Sequence, residues 1–121
     1  MSGLVHLVED DPDAAALLAE LLGLDGLDCS VQATLAGLQA QPDAPSPTAV
    51  VSDFHLADGH TGAEVLLLAR QRWPGARLVL VSGLDGDAVR AELERWLPGL
   101  STQVTVLPKP LDYEQLIAVL G

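Results

Sequence analysis

The sequence predicts an α/β fold: a five-stranded, doubly wound parallel sheet carrying five helices on its two faces. Three observations predict it. Short β-branched apolar runs without clean alternation recur along the chain, as strands buried on both faces do. Segments of helical period separate these runs in strict alternation. The chain has 121 residues, 49% of them hydrophobic, enough for one domain with one core. We expect that single domain to span 1–121, too short for an added output module.

The elements follow in order. LVHLV (4–8) reads as the first strand. Asp11-Pro12, a cap residue ahead of proline, opens a first helix whose stripe is Ala14, Leu17, Leu18 and Leu21. SVQA (30–33) is the second strand and TLAGLQAQ (34–41) a short helix. The prolines of QPDAPSPT (41–48) mark a loop. AVVS (49–52) is the third strand, followed by a helix lined by Leu66, Ala69 and Trp73 and closed at Pro74-Gly75. RLVLVS (77–82) is the fourth, and Asp85-Gly86-Asp87 is the turn into a helix lined by Val89, Leu93, Trp96 and Leu97. VTVL (104–107) is the fifth, before a helix lined by Tyr113, Leu116, Ile117 and Leu120, with Asp112 and Gln115 at capping-box spacing. Right-handed crossovers then place helices on both faces.

Charge excludes several partners. The formal net charge is −11, with five arginines and one lysine scattered among 17 acids. No basic stripe supports nucleic-acid binding, and an anionic membrane would repel the chain. No apolar run reaches membrane-span length, and MSGLVHLVEDD lacks the regions of a secretory signal. With the lone Cys29, read as a small buried hydrophobe, this fits a cytoplasmic location.

In such a sheet, ligands sit beyond the carboxyl ends of the strands. There the sequence places Glu9 and Asp10 after strand one, Asp53 after strand three, Ser82-Gly83 after strand four and Pro108-Lys109-Pro110 after strand five. Neighbouring carboxylates repel unless a cation relieves them, and an all-oxygen set suits Mg²⁺ or Mn²⁺. No glycine-rich phosphate loop and no zinc-type Cys/His spacing is present. His6 reads as a packed, hydrogen-bonded core histidine, and His60 as a loop residue.

LVEDD, VVSDFHLADG, LVSG and LPKPL, each at a strand end and in this order, make the whole chain resemble the receiver domain of bacterial two-component response regulators. LPKPL and the loop length most resemble receivers of hybrid sensor kinases. The resemblance implies a flavodoxin-like sheet of strand order 2-1-3-4-5. It implies that Asp53 accepts a phosphoryl group as an acyl phosphate. Asp10, Asp53 and the backbone carbonyl of His55 would ligate Mg²⁺ (or Mn²⁺), with Glu9 acting through water. Ser82, Gly83 and Lys109 would contact the phosphate, and the Lys109–Pro110 peptide would be cis. The implied donor is a sensor histidine kinase or a histidine phosphotransfer protein. Output would pass by protein contact, and a homodimer through helix four, strand five and helix five is possible in the family.

The chain departs from the family's pattern in four places. Ala57 stands where proline is usual, and Gly62 falls one residue late. Ser82 replaces threonine, and Val106 replaces an aromatic that usually swings inward on activation. With valine there, we expect activation to be read through loop and helix-four shifts, or by the donor partner alone. Two other functions fit the residues less well. One is a degenerate receiver acting as a non-phosphorylated interaction module. The other is an aspartyl-intermediate phosphatase, which would need a second aspartate where His55 stands.

Overall fold

The computed structural model describes residues 2–121. Its elements run β1 (Leu4–Val8), α1 (Pro12–Leu24), β2 (Asp28–Gln32), α2 (Leu35–Gln39), β3 (Ala49–Asp53), α3 (Gly62–Arg72), β4 (Arg77–Ser82), α4 (Gly86–Trp96), β5 (Val104–Pro108) and α5 (Tyr113–Leu120), with a 3₁₀ turn at Ser101–Gln103. The sheet order is β2-β1-β3-β4-β5 and every pairing is parallel. The expected architecture and strand order are those observed. No helix among the described residues is long and apolar enough to cross a membrane.

Strand alternation divides the core in two. Val5 and Leu7 of β1 face a cluster with Ala15 and Leu22 of α1 and Leu116 of α5. Val8, on the opposite face, joins Leu38 of α2, Leu66 of α3 and Leu93 of α4. All five residues of β3 are buried, which is why the central strand opens on the continuous apolar run Ala49–Val51 before polar Ser52 and Asp53.

Three local expectations are corrected. Strand β2 begins at Asp28, two residues before the predicted SVQA, and ends at Gln32. Its bounds are set by backbone pairing to β1, with Leu4 opposite Asp28, and not by where side chains turn apolar. The predicted stripe of α1 is also rotated. Ala15 and Leu22 are buried, whereas Ala14 is exposed and Leu17 is 59% exposed. That helix is apolar almost all round, so period alone cannot choose its face. At α5, Asp112 accepts from the Glu114 N–H at 2.9 Å. The reciprocal box lies instead at α3, between Thr61 and Glu64.

His6 is packed but not hydrogen-bonded. It is 2% exposed, its ring centroid lies 5.0 Å from that of Trp73, and neither nitrogen has a partner among the described residues. On the neighbouring β2, Gln32 gives its side-chain amide to Ser30, the residue opposite His6, at 2.6 Å. Burial, and then the Arg72 charge, lower the imidazole pKa, so it is held neutral. Cys29 is a half-buried free thiol, and burial pushes its pKa up to about 11.

Candidate functional site

The order β2-β1-β3 places the reversal of winding between β1 and β3, where an open α/β sheet leaves a crevice at its carboxyl edge. The register Val8↔Ser52 brings the residues following β1 beside the end of β3. One oxygen from each of Glu9, Asp10 and Asp53 lies within 4.8 Å of the others. The sequence therefore named three side chains that the topology gathers.

Backbone donors fix each carboxylate. Glu9 Oε1 accepts from the Asp11 N–H at 3.0 Å, and Asp53 Oδ1 from the Phe54 N–H at 3.0 Å. Asp10 Oδ2 accepts from the Ala57 N–H at 2.6 Å. Asp11 also caps α1 through the Asp13 N–H, so it serves the helix while its neighbours face the crevice. Asp53 is 8% exposed, buried enough to strengthen any charge brought against it.

Lys109 answers that charge. Its Nζ lies 2.7 Å from Asp53 Oδ1, delivered by the end of β5. Its own N–H donates to the Ser82 carbonyl at 3.0 Å, tying it to β4. Partial burial alone would lower the Lys109 pKa, but the hydrogen bond and charge of Asp53, then Glu9 and Asp10, outweigh it and raise it. The Lys109–Pro110 peptide is cis, as is Ala44–Pro45.

Three carboxylates against one ammonium leave an excess of negative charge. Burial, followed by the Asp53 charge, pushes Glu9 above the ordinary carboxylate range despite the Asp11 N–H. A hard divalent cation among these oxygens would remove the conflict, so the donor set fits one.

The remaining predicted residues lie around this centre. Ser82 is 4% exposed at the end of β4, its Oγ accepting from the Leu84 N–H at 3.0 Å. Gly83 is exposed beside Lys109. His55 is exposed and bridges to Thr61 at the start of the β3–α3 loop. His60 Nδ1 lies 3.3 Å from Glu64.

Other residues shape the same crevice. A Cβ on Gly62 would collide with the Asp53 carbonyl and the Leu80 side chain, so glycine lets α3 start directly against the β3 end. Asp58 braces the same loop, accepting from the Leu35 and His60 N–H groups. Beside the acids, a cleft of about 490 Å³ runs between α1 and α5, walled by Ala14, Leu17, Leu21, Leu111 and Tyr113.

No family model matches the chain, and no curated protein is similar to it in sequence. Solved structures are similar over nearly its whole length. The receiver domain of the Francisella response regulator 1452 superposes with a TM-score of 0.77 at 18% identity, covering 98% of this chain and 93% of that one. The non-phosphorylated HemR receiver domain from Leptospira biflexa gives 0.77 at 19%, covering 97% and 90%. A response regulator from Burkholderia pseudomallei, with a phosphorylated aspartic acid, calcium ion and citrate, gives 0.81 at 19%, covering 98% and 66%. The chain has the receiver fold. In this receiver fold the acidic triad, the buried serine and the lysine all stand at one edge of the sheet.

Proposed function

We propose that residues 1–121 form a phosphoacceptor receiver domain of a two-component or phosphorelay system, with Asp53 as the acceptor. The observation that carries this reading is the pairing of Asp53 with Lys109 at 2.7 Å, beside Glu9 and Asp10 at the winding reversal. A buried carboxylate with a fixed cation and two further acids suits phosphoryl transfer, which needs positioning and charge neutralisation more than covalent machinery.

In the proposed step, an Asp53 oxygen forms a bond to phosphorus as the P–N bond to the partner's phosphohistidine breaks. The imidazole leaves with the electron pair and takes a proton from water. Phe54 N–H and Lys109 orient the carboxylate, and Lys109, held charged by its acidic neighbours, pairs with the phosphoryl oxygens. Ser82 Oγ and the Gly83 N–H complete the phosphate contacts. Asp10, Asp53 and the His55 carbonyl would hold Mg²⁺ or Mn²⁺, with Glu9 acting through water. The cation would supply positive charge in addition to that of Lys109. The partners are a sensor histidine kinase or a histidine phosphotransfer protein in the cytoplasm, and the signal leaves by protein contact. Hydrolysis of the acyl phosphate at the same site resets the domain.

The test is incubation with acetyl phosphate and Mg²⁺, followed by intact-mass spectrometry. The expected result is the mass gain of one phosphoryl group, abolished by Asp53→Asn. No adduct from any small donor would leave an interaction module, and steady turnover of a phosphoester would indicate a phosphatase.

A further inference from the structure

Each acid of the triad has one oxygen anchored by a backbone N–H, but the anchors differ in origin. Those of Glu9 and Asp53 come from residues two and one positions away and accompany the local chain wherever it goes. That of Asp10 comes from Ala57, forty-seven residues distant, on the loop between β3 and α3. At 2.6 Å it is at the short end of hydrogen bonds to carboxylates. No other N–H donor reaches the Asp10 side chain among the described residues. The loop that supplies it is itself braced, by Asp58 on the Leu35 and His60 N–H groups and by the His55–Thr61 bridge.

We infer that the Ala57 backbone N–H is the positioning group for the Asp10 carboxylate, holding it through Oδ2 in one orientation toward the cation. This rests on the reading of Glu9, Asp10 and Asp53 as a metal site. Two effects oppose each other. The N–H withdraws charge from the carboxylate, which weakens its pull on a cation. It also fixes a rotamer that would otherwise have to be ordered on binding. Partners of this kind commonly raise metal affinity by roughly 10–100-fold, so orientation wins. The donor is main-chain, so only proline at this position removes it; any other side chain leaves it in place.

Mn²⁺ titration, followed by electron paramagnetic resonance of the free ion, tests the inference on the wild type, Ala57→Gly and Ala57→Pro. Glycine should bind within about twofold of the wild type and proline about 10-fold more weakly. Equal affinity of the proline variant would overturn the inference alone. Absence of Mn²⁺ binding by the wild type would overturn the metal reading and the inference with it. A measurement on the unmutated protein stands apart from any folding defect of the proline variant. The trans-hydrogen-bond coupling between the Ala57 amide nitrogen and the Asp10 carboxyl carbon should persist at saturating Mg²⁺. Its loss would overturn the inference.

Discussion

Arg72 and Lys109 are both cations set among acceptors, yet their surroundings are opposite in kind. Arg72 ends α3 and spends its guanidinium on Asp43 (3.0 and 2.7 Å) and on the carbonyls of Leu38, Gln39 and Gln41. It also lies 4.5 Å over the Trp73 ring, whose indole N–H donates to the Asp43 carbonyl. The guanidinium is answered by partners on every side, and the cluster ties the loop before β3 to α3. Among the described residues the Lys109 ammonium has one direct partner, Asp53, and it faces more negative charge than it can neutralise. A satisfied polar cluster fixes structure, whereas an under-compensated one is poised to take up further charge.

That contrast can be broken from either side. The largest expected effect on stability is at the satisfied cluster. Arg72→Ala takes the guanidinium donor from the Gln39 and Gln41 carbonyls, while Leu38 keeps the Gln41 N–H, and strips Trp73 of its cover; it should cost about 2–3 kcal/mol. Urea unfolding measures the loss, while the extent of phosphorylation by acetyl phosphate at low denaturant stays unchanged. A smaller effect is expected beneath Trp73, at His6. Its folded pKa lies below the ordinary 6.5, so the unfolded chain binds a proton that the native one refuses. Stability contributed by neutral His6 is complete above pH 6.5 and is lost as pH falls from there toward the lowered folded value. The slope from this one group cannot exceed about 1.4 kcal/mol per pH unit. Between pH 7.5 and 5.5 the melting temperature of the wild type should fall further than that of His6→Leu; an equal or smaller fall would show this sign to be wrong.

What the sequence disclosed follows the same division. Strand ends were legible because alternating β and α patterns fix where each chemistry-bearing residue must fall, and Glu9, Asp10, Asp53 and Lys109 all fell together. The buried face of α1 was not legible, since Ala14, Ala15, Leu17 and Leu18 look alike to a period of 3.6. The start of β2 was hidden because polar Asp28 joins the ladder through its backbone alone. The orphan nitrogens of His6 depend on where Trp73 and Gln32 point, which no local pattern records. Ala57 was visible only as a departure from proline, because a backbone N–H leaves no mark in a sequence.

The central claim is that the under-compensated cluster makes Asp53 a phosphoacceptor, and trapping the product at the residue tests it most directly. Protein treated with acetyl phosphate and Mg²⁺ is reduced with borohydride, which converts an acyl phosphate to an alcohol, then digested and sequenced by mass spectrometry. The account predicts homoserine at position 53 and at no other acid. Reduction at Glu9 or Asp10 in its place, or phosphate retained on a histidine with Asp53 unmodified, would contradict it.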